Sequence, residues 1–104
     1  TALSGSGPAY VFLFLEAMIA GGLSLGLTMD QSRKLAIATL HGATRLAAES
    51  PESPATLRER VTSKGGTTAA ALDVFNREGF TDMVKQAMHA ASTRAAELSV
   101  EFGR

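Results

Sequence analysis

The chain of 104 residues is long enough for one domain, and its formal net charge is zero with a pI near 6.6. This charge balance, without any basic stripe, argues against a nucleic-acid-binding protein. The absence of cysteine excludes disulfide bonds and thiolate metal sites. Because the chain opens at Thr1 and no basic segment precedes its apolar run, we expect a piece of a longer protein without a signal peptide.

The first predicted helix begins at Gly7-Pro8, where the fixed φ of proline suits a helix start, and runs to about Leu25. Glu16 is the only charged residue from Pro8 to Met29, so the segment approaches the length of a membrane span. The early charge, the internal Gly21-Gly22 pair and the lack of an aromatic belt or basic flank argue against a membrane. We therefore expect a buried central helix of a bundle.

Two features of this helix leave alternatives open. A carboxylate among apolar side chains needs a partner or binds a proton, so Glu16 either faces a polar cavity or pairs with a residue of another helix. Each glycine of Gly21-Gly22 costs a helix about 1 kcal/mol relative to alanine. That cost suggests close approach of another helix or a ligand, or a break in the helix.

Two further helices follow. Thr28 and Gln31 form a capping-box pattern that starts the second one. The apolar residues of the second helix form one stripe. Ile37 lies on the opposite, polar side, which indicates a second contact surface. Ser53-Pro54 caps a short third helix, which is predicted to stop at Gly65.

A fourth helix is predicted from Thr67 to about Arg77 and is ended by Gly79. The fifth, from about Thr81 to Phe102, has the clearest 3.6-residue periodicity. Alternating strand patterns are absent. The sequence therefore predicts an all-α fold, a bundle of about five helices that forms one domain over residues 1–104.

The segment Ser63-Lys64-Gly65-Gly66-Thr67-Thr68 is the most informative local pattern. It leads into a helix N-terminus, where unpaired N–H groups and a partial positive charge hold anions. The glycines allow a ligand to approach the backbone, and the hydroxyl and ammonium groups add donors. These features suggest a carboxylate or phosphate cradle. A helix-ending glycine followed by threonine caps explains the same residues and is the simpler interpretation of the spacing alone.

Other candidate sites are weaker. Ser4-Gly5-Ser6-Gly7-Pro8 is a second small-residue turn before a helix, and a tight entry turn explains it. It lacks the strand and the third glycine of a dinucleotide-binding fingerprint. His41 and His89 fall on the polar sides of different helices. We therefore expect no metal site, and the residues alone identify no catalytic group.

Taken together, the two small-residue motifs resemble those of pyrroline-5-carboxylate reductases. Leu3–Tyr10 is similar to the start of the dimerisation domain in that family, and Val61–Leu72 is similar to its most distinctive motif. Gly79-Phe80 agrees as well, so the resemblance covers essentially all 104 residues. Two positions depart from the family pattern: Lys64 stands where proline is common, and Ala20 where an acidic residue is usual.

The resemblance implies an oxidoreductase of proline biosynthesis, which transfers hydride from NADPH or NADH to the C=N bond of 1-pyrroline-5-carboxylate and forms L-proline. It implies an intertwined helical dimerisation domain, like the C-terminal domain of 6-phosphogluconate dehydrogenase. NADP or NAD would bind mainly to an N-terminal Rossmann domain, which is absent from this chain. The implied assembly is a cytoplasmic homodimer, extended in some members to a ring of dimers. We expect this fragment alone to be inactive.

The resemblance also implies roles for individual residues. Four of them would hold the substrate carboxylate: Ser63, Gly66, Thr67 and Thr68. This implied role agrees with the carboxylate or phosphate cradle suggested above, so we favour the cradle over threonine caps for this segment. Three others would lie near the nicotinamide end of the cofactor: Ser4, Ser6 and Pro8. Two alternatives remain, an oligomerisation module without a ligand of its own and the helical domain of a related NAD(P)-dependent dehydrogenase acting on another small acid.

Overall fold

The computed structural model describes residues 1–102, apart from the side chain of Phe102, and is all-helical over that range. The five helices are α1 (Gly7–Ser24), α2 (Met29–Glu49), α3 (Pro54–Arg60), α4 (Thr67–Arg77) and α5 (Phe80–Phe102). The predicted all-α fold of about five helices is confirmed. The chain divides into two compact units: residues 10–62, and residues 1–9 together with the chain from Ser63 onward.

In the unit of residues 10–62, α1 ends at a left-handed glycine. Gly26 has a φ of 98°. Its N–H donates to the Leu23 carbonyl at 3.1 Å, and the Leu27 N–H donates to the Gly22 carbonyl at 3.0 Å. These two bonds form a Schellman motif, which satisfies carbonyl groups that the helix end would leave open. The end of the first helix predicted at about Leu25 is therefore confirmed.

The starts of α2 and α3 also follow the sequence signals. The Gln31 N–H donates to the Thr28 hydroxyl at 3.1 Å, and the Thr28 N–H donates to the Gln31 side-chain oxygen at 3.0 Å. This reciprocal pair is the predicted capping box. At α3 the Ser53 hydroxyl accepts from the Thr56 N–H at 3.2 Å, with Pro54 as the first helical residue.

The prediction that the third helix continues to Gly65 is wrong. α3 ends at Arg60, because the backbone of Val61 leaves helical values, with φ −101° and ψ 8°. The Thr62 hydroxyl donates to the Arg58 carbonyl at 2.6 Å and so satisfies an acceptor at the helix end. Gly65, with a φ of 73°, belongs instead to the loop before α4.

Helices α1 and α2 approach closely at Gly22. A Cβ atom built on Gly22 would lie 2.9 Å from the Ser32 Cβ and 3.6 Å from a Leu27 methyl group. Within the described part of the chain, the residues classed as buried are Ser32 and Ala36, at 3% and 4% exposure. Of the three explanations that the sequence left open for the Gly21-Gly22 pair, close approach of another helix is found at Gly22, whereas a Cβ on Gly21 would meet nothing within 4 Å.

We expect Gly22→Ala to lower the free energy of unfolding by about 1–3 kcal/mol, because the added methyl group would overpack the contact with Ser32. Gly21→Ala is the matched control. It gains the same helix propensity, and its methyl group would point into open space. It should therefore raise the free energy of unfolding by at most about 1 kcal/mol. Urea unfolding followed by far-UV circular dichroism measures both variants, and equal effects would contradict the packing described.

In the other unit, α4 and α5 are joined at Gly79, the residue predicted to end the fourth helix, and its φ of 74° gives a left-handed turn. The rings of Phe75 and Phe80 meet edge to face across this turn, with 5.3 Å between centroids and 76° between planes. Such a pair contributes about 0.5–1.5 kcal/mol beyond the area that it buries. It therefore helps to hold the ends of the two helices together.

The apolar helix α1 is only partly covered by its own chain. It has no buried residue, and Phe12 and Leu13 are 64% and 67% exposed. By length and composition alone, Gly7–Ser24 also passes as a candidate membrane span. The expectation of a helix buried at the centre of the bundle is thus wrong for a single chain, because the other described helices cover only part of its surface.

The accessible surface of the chain is unusually large, at 8197 Å². A compact monomer of 10.8 kDa exposes about 5,500 Å², and two separate compact bodies of half that mass would together expose about 6,700 Å². Division into two units therefore does not explain the excess. Large exposed apolar surfaces mark sites that another protein or a membrane covers.

Candidate functional site

The loop before α4 is a tight turn that requires glycine. The Gly66 N–H donates to the Ser63 carbonyl at 3.0 Å, and Gly65 has a φ of 73°. A Cβ on Gly66 would lie 3.2 Å from that same carbonyl oxygen, closer than most side chains tolerate. The turn thus brings Ser63 directly beside the start of α4.

The first turn of α4 carries unused donors. Gly66 is the N-cap residue and offers no side chain, and the first backbone bond of the helix runs from the Ala70 N–H to the Gly66 carbonyl at 3.1 Å. Among the described residues, no acceptor is recorded for the N–H groups of Thr67, Thr68 and Ala69. These groups lie at the positive end of the helix dipole, where anions are stabilised.

The interpretation of this segment as threonine caps is wrong. Thr67 and Thr68 are the first two helical residues rather than the cap, and no side-chain cap bond forms at this end. Both side chains are exposed, as is that of Ser63. Their hydroxyl groups are therefore available to a ligand together with the open backbone N–H groups.

The charges around the start of α4 also suit an anion. Helices α2 and α5 have an acidic residue in their first turn, Asp30 and Asp82, whereas α4 has none. Lys64 is exposed, and the ion pairs of the described chain do not include it. The start of α4 thus offers donors, has Lys64 in the loop that precedes it, and has no carboxylate in its first turn.

Sequence reasoning missed one group at this site. It named the side chains and glycines of the motif, whereas the open N–H of Ala69 completes the row of backbone donors. The sequence position of Ala69 could have identified it. Ala69 is the third residue of a helix whose N-cap is a glycine, and the first N–H groups of a helix have no acceptor within the helix.

The opening turn lies in the same compact unit as the loop before α4. The Ser6 N–H donates to the Thr1 carbonyl at 2.8 Å, and a Cβ on Gly5 would lie 2.9 Å from that oxygen. Ser4 and Pro8 are exposed and Ser6 is half-buried. Among the described residues, no backbone hydrogen bond joins Ser4, Ser6 or Pro8 to the loop before α4.

Other titratable candidates are solvent-exposed. Glu16 is exposed on α1, and within residues 1–102 its carboxylate forms no ion pair. Neither predicted environment, a polar cavity or a partner on another helix, is found for it in a single chain. His41 and His89 are exposed as well, and within residues 1–102 no group of three or more His, Cys, Asp or Glu side chains is placed to hold a metal ion.

Comparison with known proteins gives one consistent family. The family model described as pyrroline-5-carboxylate reductase dimerisation matches residues 1–98. A pyrroline-5-carboxylate reductase of Pseudomonas aeruginosa is 48% identical over 104 residues, which is all of this chain and 38% of that protein. One from Pisum sativum is 43% identical over 99 residues, which is 95% of this chain and 36% of that protein.

Solved structures agree in fold. A pyrroline-5-carboxylate reductase from Coxiella burnetii superposes with a TM-score of 0.91 at 44% identity, over 93% of this chain and 36% of that one. The Plasmodium falciparum pyrroline carboxylate reductase with NADP bound gives a TM-score of 0.88 at 35% identity, over 90% and 38% of the two chains. The chain thus spans little more than a third of the length of these relatives. It belongs to the pyrroline-5-carboxylate reductase dimerisation family.

Proposed function

We propose that this chain is the helical domain of a pyrroline-5-carboxylate reductase, an oxidoreductase that reduces the C=N bond of 1-pyrroline-5-carboxylate to give L-proline. The observation that carries the proposal is the row of open N–H groups at the start of α4, within a chain of this family. When bound, NADPH or NADH supplies the hydride. A nucleotide-binding domain outside this chain would hold it, which the NADP in the Plasmodium falciparum relative supports.

The start of α4 would hold the substrate carboxylate. The N–H groups of Thr67, Thr68 and Ala69 and the hydroxyl groups beside them can satisfy both carboxylate oxygens, since each oxygen accepts more than one bond. Bonds to an ionised acceptor are shorter and stronger than neutral ones. Gly66 adds no side chain that would block the approach, and Ser63 can add a further hydroxyl. Fixing the carboxylate would orient the imine carbon for hydride transfer.

The opening turn is proposed to lie at the nicotinamide end of the cofactor. Ser4 and Pro8 are exposed, Ser6 is half-buried, and Gly5 keeps the turn tight. The location of this turn in the same compact unit as the carboxylate cradle supports the assignment. We assign no catalytic residue to this chain, because binding and orientation are what its groups can supply.

We further propose that two copies of the chain form an intertwined homodimer in the cytoplasm, which in the whole protein can extend to a ring of dimers. The family description names dimerisation. The exposed apolar surface of α1 also supports the proposal, because a second protein chain would cover it. The relatives described above are all pyrroline-5-carboxylate reductases. They give no support to a related dehydrogenase acting on another small acid or to a module without a ligand.

The direct test is a chimera in which this chain replaces the corresponding region of the Pseudomonas aeruginosa relative. We expect saturable oxidation of NADPH or NADH that depends on 1-pyrroline-5-carboxylate. The 104-residue chain alone should show no turnover, because it spans little more than a third of the length of the reductases that it matches. A well-folded chimera that is inactive with both cofactors would contradict the proposed reaction.

Lys64 offers a prediction of its own, since it stands beside the open N–H groups. We expect Lys64→Gln in the chimera to raise KM by about 2- to 5-fold at low salt, the range of an exposed charge interaction. The difference should shrink as salt rises. Lys85→Gln, which removes an exposed lysine of α5, is the control and should leave KM unchanged. An unchanged KM for Lys64→Gln would show that the lysine serves only the turn.

A further inference from the structure

Helix α2 carries a stripe of apolar and small residues that its own chain leaves exposed. The members are three or four residues apart and so lie on one side of the helix: Leu35, Thr39, Gly42 and Leu46. Leu35 and Leu46 are 56% and 52% exposed, and Thr39 and Gly42 are exposed as well. The Thr39 hydroxyl donates to the Leu35 carbonyl at 2.7 Å. The α2 stripe can therefore be covered without leaving this donor unpaired.

Gly42 has no packing role within its own chain. A glycine inside a helix destabilises it relative to alanine. At Gly22 the contact with Ser32 accounts for the glycine, whereas a Cβ on Gly42 would meet nothing within 4 Å among the described residues. Gly42 is not among the glycines with a positive φ either. At this place a residue without a side chain allows the backbone of another chain to come close.

A groove of about 120 Å³ opens beside the α2 stripe, between α1 and α2. Leu35 and Thr39 of the stripe line it together with Met18 and Gly22 of α1. Ser32 also lines the groove, and its buried hydroxyl has no hydrogen-bond partner among the described residues. Buried hydroxyl groups usually have such a partner, so the single chain leaves this wall incomplete.

A second copy of the chain is the partner that the exposed area fits. The accessible surface of 8197 Å² exceeds that of two separate compact half-chains by about 1,500 Å². A stable interface buries about 800 Å² on each partner, and obligate homodimers bury more. The family is described as a dimerisation domain over residues 1–98, which include all of α2. The inference below rests on the homodimer proposed above.

We propose that a helix of the second copy packs along the α2 stripe. The two backbones come closest at Gly42, and an apolar side chain of the second copy enters the groove beside Leu35 and Thr39. Leu35 and Leu46 lose their contact with water, which favours association. The stripe thus adds α2 to the dimer interface, together with the exposed apolar surface of α1.

Sedimentation velocity of the 104-residue chain over a concentration series measures the dissociation constant of the dimer. Gly42→Leu should raise this constant roughly 100-fold, because the added side chain would hold the other helix away from the stripe in both copies. Gly42→Ala should raise it roughly 10-fold although alanine favours the helix. Ala48→Leu adds bulk at an exposed residue that points away from the stripe, and it should leave the constant unchanged.

The outcomes separate this inference from the homodimer itself. If the unchanged chain dimerises and both Gly42 variants dimerise equally well, the α2 stripe is not part of the interface, while the homodimer stands. Equal weakening by Ala48→Leu would also overturn the stripe. A chain that stays monomeric at every concentration would overturn both proposals. Far-UV circular dichroism shows whether each variant keeps its helices, and Gly42→Ala gives the decisive comparison if Gly42→Leu fails to fold.

Discussion

In the chimera with the Pseudomonas aeruginosa relative, Thr67→Ala combined with Thr68→Ala is expected to lower kcat/KM for 1-pyrroline-5-carboxylate roughly 100-fold or more. A hydrogen bond to a charged group contributes about 1.5–3 kcal/mol, and each 1.4 kcal/mol corresponds to a factor of ten. The loss should appear mainly in KM, because the carboxylate keeps its charge from bound substrate to transition state. Steady-state oxidation of the nicotinamide cofactor over a range of substrate concentrations measures it.

The fold should survive these substitutions. Both side chains are exposed, neither caps α4, and alanine favours a helix more than threonine does. The single change Thr68→Ala should therefore raise KM while helix content stays constant. Thr81→Ala, in the first turn of α5, is the matched control and should leave both quantities unchanged. Normal kinetics in the double variant would remove the two hydroxyl groups from the substrate site.

The second large effect is expected on assembly. Phe12→Asp combined with Leu13→Asp should convert the dimer to a monomer, raising the dissociation constant by at least about 1,000-fold. Full burial of each such side chain contributes about 1.5–3 kcal/mol, and the two-fold symmetry of a dimer doubles the loss. The introduced carboxylates would add a desolvation cost. Light scattering across a concentration series gives the mass directly.

A matched control separates this effect from a general loss of apolar surface. Val61 is 66% exposed and lies beside the charged residues Arg58, Glu59 and Arg60 at the end of α3. Val61→Asp should therefore leave the dimer intact. If the α1 variant remains a dimer while keeping its helices, α1 is not the dimer interface.

Several parts of the fold could be predicted because they depend on local chemistry. The capping box of Thr28 and Gln31 and the serine cap at Ser53 involve residues within one turn of each other. Gly26 and Gly79 adopt positive φ at predicted helix ends, since a residue without a side chain enters that region at little cost. The motif that contains Thr67 and Thr68 could also be identified from its residue types alone.

The end of the third helix was predicted wrongly, because two local features near it could each end a helix. Gly65 was predicted to end the third helix and does adopt a positive φ, at 73°. The helix nevertheless stops at Arg60, since the backbone turns at Val61 and the Thr62 hydroxyl binds a terminal carbonyl. A side-chain hydroxyl can bind a carbonyl that a continuing helix would pair with a backbone N–H. The amino-acid composition does not show which of the two bonds will form.

The amino-acid sequence by itself determined the helices, most of their ends, the family and the segment that carries the candidate site. Only the tertiary structure decided which N–H groups at the start of α4 lack an acceptor, because that depends on how Ser63 and Gly66 turn. It also decided that α1 and Glu16 stay exposed in a single chain. Hydrophobic periodicity identifies a surface that avoids water, whereas only the three-dimensional contacts show whether the same chain covers it.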